Sequence, residues 1–168
     1  MSKLIWIGVI ISMLAGLFGL KVYSSQSPPT QANSRVDSFS YSHSGSSTYE
    51  IYSYEVKKDE ETGERTVYYD LYCELITHSL PADEELMQQL SAVIDEYSLR
   101  KWDGFNRINS MVTDGSGFSL KVLLEDGTGI SARGSNSFPD GFGEAAEAID
   151  NLFLGYLKRN GIDPEGGF

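Results

Sequence analysis

From Tyr49 onward, apolar and polar residues alternate in two blocks, and each block is followed by a stretch with a three-to-four-residue apolar period. Tyr49 to Lys57 is rich in Tyr, Ile and Val; the charged KDEETGE run follows, and Arg65 to Thr77 resumes the alternation, a pattern that predicts a β-hairpin. In its second strand the period of two places Val67, Tyr69, Leu71, Cys73 and Leu75 on one face and Tyr68, Asp70, Tyr72, Glu74 and His78 on the other. The first set is expected to face the core. Ser79 and Pro81 then open a predicted helix whose Leu86, Leu90, Val93, Ile94 and Tyr97 form one apolar stripe, with Asp83, Glu84 and Glu85 suited to its positive end.

The pattern repeats after a connection, Arg100 to Thr113, in which Trp102 and Phe105 are large enough to seal one end of a core. Phe118, Leu120, Val122 and Leu124 alternate with polar residues, Asp126-Gly127 makes a tight turn, and Ile130 and Ala132 continue the inward face of a returning strand. A second helix carries Ala145, Ile149, Leu152, Phe153 and Tyr156 and is stopped by Gly161 and Pro164. Ser79-Leu80-Pro81 and Ser137-Phe138-Pro139 precede the two helices in matching fashion, which suggests a duplicated unit. The expected architecture is an α+β two-layer sandwich of order ββαββα. Its four-stranded antiparallel sheet carries both helices on one face and leaves the other face open, since a lone hairpin with one helix has too little core.

Ahead of this single domain, placed at 49–168, stand two other segments. Leu4 to Leu20 has no charge, and the apolar character runs on through Tyr23, long enough to cross a bilayer core of ~30 Å as a helix. Residues 1–23 are therefore expected to be an N-terminal transmembrane anchor, the membrane being engaged through 4–23. A cleaved signal segment is the rival, disfavoured because the run exceeds the usual apolar region of such signals. Residues 24–48 hold ten serines and two adjacent prolines and are expected to be a disordered tether, with His43 a solvated linker residue. The localisation that follows is single-pass at the cytoplasmic membrane with the domain outside, or secretion if the leader is cut.

Charge removes several function classes. Residues 49–168 carry 23 acidic and 10 basic side chains, a formal charge of −13, and show no basic stripe, so nucleic-acid binding is not expected. Cys73 is the single cysteine, which excludes an intrachain disulfide and a thiolate zinc site. No serine-hydrolase elbow, zinc-protease helix, P-loop or dinucleotide fingerprint occurs. Cys73 and His78, five positions apart on one predicted strand, point to opposite faces and cannot form a nucleophile–base pair. The two Asp-Gly segments read as turns rather than calcium loops. No catalytic residue, metal ligand or cofactor is expected.

Trp102-Asp103-Gly104-Phe105, then Asp114-Gly115 with Phe118 and Leu120, then Asp126-Gly127, Ala132, Gly134, Asn136, Phe138 and Pro139 resemble a group of exported or membrane-anchored bacterial domains common in Firmicutes. The resemblance implies export and no known reaction.

Candidate binding residues come from three places. Seven of the ten tyrosines fall between Tyr41 and Tyr72, and Tyr68 and Tyr72 are expected to share the open sheet face, where a protein or cell-wall glycan could be held. Trp102 and Phe105, with the Gly134-to-Pro139 turn, outline a possible pocket. Ser135 and Asn136, before the second helix, either present backbone N–H groups to an anion or cap that helix. The leading expectation is a membrane-anchored, exported, non-catalytic interaction domain. The alternative is an extracytoplasmic small-ligand-binding or sensory domain.

Overall fold

The structure, a computed structural model, describes residues 35–45, 51–71, 76–112 and 115–164. Its elements are β1 (Val36–Ser44), β2 (Ile51–Lys58), β3 (Arg65–Leu71), β4 (Ile76–Pro81), α1 (Glu84–Glu96), a 3₁₀ turn (Leu99–Trp102), β5 (Asn106–Ile108), β6 (Gly117–Leu124), β7 (Gly129–Ser135) and α2 (Phe142–Arg159). The strands form one seven-stranded sheet in the order β4-β3-β2-β1-β6-β7-β5. All neighbours are antiparallel except β5 and β7, which run parallel.

The four-stranded antiparallel sheet expected from the pattern is therefore wrong: the sheet is seven-stranded and mixed. Three strands escaped notice for different reasons. β1 lies within the supposed tether, because Val36, Phe39 and Tyr41 are buried while serines occupy the intervening outward positions and lend the segment a linker's composition. Such alternation is what a one-side-solvated antiparallel sheet requires. The predicted strand over Arg65 to Thr77 is two strands; β3 ends at Leu71, and β4 returns to place His78 opposite Tyr69. His78 thus lies on the inner face rather than the outer one, its ring 6.3 Å from that of Tyr69. Pro81 ends β4 instead of opening a helix, and the cap of α1 is Asp83, whose carboxylate accepts from the Leu86 N–H at 2.8 Å. β5 has three residues, too short for a periodic signal.

The register aligns a row across five strands, Leu120, Tyr41, Tyr54, Tyr69 and His78, all on the helix-bearing face. Phe153 of α2 stacks on this surface, with ring centroids 4.6 Å from Tyr54 and 5.5 Å from Phe39. The fully buried side chains of α1 (Leu86, Leu90, Ile94) and α2 (Ile149, Phe153, Leu157) join the same core as those of the sheet. The backbone N–H of Val36 donates to Ser91 Oγ of α1 at 3.3 Å.

Among the described residues no helix is long and apolar enough to cross a membrane. The expectations of a transmembrane helix and of a membrane location are corrected on that finding. The segment 4–23 that prompted them lies outside the described residues, as do most of the supposed tether, Tyr49, Tyr72 and Cys73.

Candidate functional site

The sheet face away from the helices carries Ser40, Ser42, Ser53, Glu55, Thr66, Tyr68, Asp70, Ser119, Lys121, Ser131 and Arg133, the partners required by the register. Tyr68 does point outward, half-buried, with the Lys57 ammonium 5.1 Å from its ring centre. It is the only tyrosine on that face among the described residues. Tyr41, Tyr54 and Tyr69 are in the core, and Tyr52 turns inward to α2. Among the described residues this face thus shows one ring on a grid of hydroxyls and charges, Tyr72 lying outside them. The clustering of tyrosines in the sequence reflects a layer of the core.

A concave site lies elsewhere, where the end of α1 meets the approach to α2. A cleft of about 590 Å³ is lined by Glu96, Tyr97, Ser98, Lys101, Trp102, Phe105, Arg107, Phe138, Pro139, Asp140 and Gly141. Its size is that of small-molecule sites, about 300–1,000 Å³. Trp102 forms its buried wall, packed edge-on against Phe118 and donating its Nε1–H to the Asp140 carbonyl at 3.3 Å. Phe105 is held half-exposed because the chain turns at Gly104, whose N–H donates to the Ser131 carbonyl, while Asp103 Oδ1 accepts from the Ser131 N–H, both at 2.9 Å. Opposite, the chain folds back tightly after β7. A Cβ on Gly134 would lie 1.9 Å from the Ser137 carbonyl oxygen, so only glycine permits the approach that sets Phe138 on Phe118 and Phe142, at 5.8 and 4.5 Å between ring centres.

Among the described residues, two that are not glycine have positive φ, Ser98 (54°) and Asn136 (51°). Ser98 lines the cleft. Asn136 sits in the turn that delivers Phe138, and its Nδ2–H donates to the carbonyls of Val112 at 3.2 Å and Asn109 at 3.5 Å. Left-handed backbone at a non-glycine residue costs about 1–3 kcal/mol and gathers at binding and catalytic sites.

Of the residues singled out from sequence, Trp102 and Phe105 meet in this cleft with Phe138 and Pro139 of the Gly134-to-Pro139 turn, whereas Ser135 and Asn136 do not line it. Ser135, exposed at the end of β7, borders a shallower hollow of about 410 Å³ with Ser42, His43, Ser44 and Ser119. Neither residue caps α2. That helix begins after Gly141, in left-handed backbone (φ 75°), with no side-chain cap bond. Tyr68 lies on β3, four strands away from β7. Lys101, Arg107, Glu96 and Asp140 were missed. The available signal was Arg107 alone in the run GFNRINSMVT, which has no other charge.

A second polar cluster is interior. The Tyr52 hydroxyl donates to Asp150 Oδ2 of α2 at 2.7 Å, and the His43 ring lies 5.5 Å from that of Tyr52. Burial raises the Asp150 carboxyl above the ordinary carboxylate range, against the opposing pull of the Tyr52 and Tyr54 hydroxyls and His43. Burial likewise raises the phenols of Tyr41, Tyr52 and Tyr54, which the Asp150 charge reinforces. Asp150 Oδ1 and the Tyr41 hydroxyl are buried without a partner of good hydrogen-bond geometry among the described residues, although the Tyr52 hydroxyl is near enough to Tyr41 to affect its acidity.

A carboxyl whose folded-state pKa is raised favours folding in its protonated form. That stabilisation is complete below the ordinary aspartate range and is lost as pH rises through the elevated value. Asp150→Asn, which stays neutral, is therefore expected to melt higher than the parent at pH 7, by a few degrees, and to lose that advantage near pH 4. Thermal melts across pH 4–8 check this; a deficit of constant size would show that the amide simply packs worse.

No protein-family model matches this chain, and the search of curated proteins finds no match.

Proposed function

We propose that the domain is a non-catalytic binding module for a small ligand, seated in the cleft between Trp102, Phe105 and Phe138. The observation that carries the reading is concavity: these aromatic side chains converge with polar groups around a volume a small molecule can fill. Left-handed Ser98 at its edge supports it further. Among the described residues the open sheet face offers a single ring, Tyr68, and its other side chains there are those any solvated antiparallel sheet presents.

Backbone amide NMR of the full chain, titrated with a mixture of small aromatic and aliphatic fragments, tests the proposal. Binding is expected to shift resonances of residues 96–107 and 138–141, and Phe105→Ala is expected to weaken it at least about tenfold, because a stacked ring contributes about 0.5–1.5 kcal/mol beyond its buried area. Shifts centred on Tyr68, Glu55 and Ser53 would move the site to the sheet face. Silence at the cleft across the mixture would overturn the reading.

A further inference from the structure

We infer that the ligand of this cleft is a zwitterion with a flat ring, of the chemical class of a free aromatic amino acid; the inference rests on the cleft being the binding site. Charge placement carries it. The chain is strongly acidic, with a formal charge of −11, and Arg35, Lys57, Lys58, Arg65, Arg100 and Arg159 each lie within ion-pair distance of a carboxylate. Four cations, Lys101, Arg107, Lys121 and Arg133, make no ion pair among the described residues; Lys121 and Arg133 stand on the outer sheet face, whereas Lys101 and Arg107 line the cleft. The Arg107 guanidinium instead lies over Phe105, 5.3 Å from its ring centre.

Two carboxylates, Glu96 and Asp140, line the same cleft, and neither is within ion-pair distance of a described cation. All four side chains are exposed at the rim of one aromatic-walled space, where both signs of charge are available to a bound molecule. A simple anion would face Glu96 and Asp140, and a simple cation would face Lys101 and Arg107. A molecule with both a carboxylate and an ammonium satisfies the two sets, and its ring fills the space between Phe105, Phe138 and Trp102. Arginine suits the carboxylate end, because its planar fork matches two carboxylate oxygens and it stacks on aromatic faces.

Four probes share one ring and differ in charge: L-tryptophan, tryptamine, indole-3-propionate and indole. Each is titrated into the full chain and followed by backbone amide shifts at the cleft. L-tryptophan is expected to bind tightest, and tryptamine and indole-3-propionate each at least about fivefold more weakly, the scale of a lost charge-assisted hydrogen bond at a partly exposed site. Arg107→Gln is expected to abolish the preference for L-tryptophan over tryptamine, and Asp140→Asn the preference over indole-3-propionate. Both residues are exposed, so both variants are expected to keep the parent melting temperature.

Equal binding of all four probes at the cleft would overturn the zwitterion inference and leave the cleft as the site. The same holds for a preference that survives both substitutions. Absence of any cleft shift, with the fragment mixture also silent there, would instead remove the site itself.

Discussion

A fragment comprising residues 49–168 is expected not to fold, whereas one beginning at Gln31 is expected to unfold cooperatively. The first fragment is the domain that composition suggests; the second matches the unit of dense internal contact, Gln31–Phe168. The difference is β1, which stands between β2 and β6 and is hydrogen-bonded to both. Deleting it removes the buried side chains of Val36, Phe39 and Tyr41 and leaves two facing strand edges without partners. At about 1.5–3 kcal/mol for each large apolar side chain lost from the core, plus two orphaned ladders, the deficit matches the whole stability of a typical domain, about 5–15 kcal/mol. Circular dichroism with urea titration distinguishes the outcomes. A cooperative transition in the shorter fragment would mean that β6 can close directly on β2 and that the central position of β1 is dispensable.

Phe153→Ala is expected to cost about 3–5 kcal/mol, the range for deleting a fully buried aromatic ring. Phe153 has no exposed surface and lies parallel to Tyr54, with 5° between the ring planes, and beside Phe39. The surrounding rings belong to paired strands, so the site has little freedom to collapse around the missing volume. The midpoint of urea unfolding reports the loss. A change below about 1 kcal/mol would show that α2 re-seats on the sheet and that the stack is not a fixed element of the core.

Both helices and four of the strands were legible in the sequence because each is long enough for its period to show. Leu86, Leu90 and Ile94 mark α1, Ile149, Phe153 and Tyr156 mark α2, and Phe118 to Leu124 mark β6. β1 was not legible by composition. Its outward serines make it look like a linker, although Val36, Phe39 and Tyr41 show the alternation once the serines are read as a solvated face. β4 was hidden because strand parity was carried through a reversal of the chain, which also put His78 on the wrong face. The cleft was half legible. Trp102, Phe105 and the Gly134-to-Pro139 turn are legible together as a pocket, and Phe138 and Pro139 do line the cleft, but its charges are not legible with them: Glu96, Lys101 and Arg107 stand within six residues of Trp102 on a polar stretch that looks merely solvated, and Asp140 directly follows the turn. Ser135 and Asn136 were drawn to α2 by a capping rule, yet the helix starts seven residues beyond Ser135.

The place of β1 has a bearing on biosynthesis. Its first partner follows it immediately, but its second, β6, is separated from it by the whole of β2 to β5. At about 5–20 residues per second a nascent chain exposes the far side of β1 for several seconds before β6 is translated. Throughout that interval the newborn meander presents a pairing-competent edge to neighbouring polysomal chains, and its inner tyrosines lack the cover that α2 supplies last of all. Slowed elongation after β4 would lengthen this exposure and lower the yield of correctly assembled molecules.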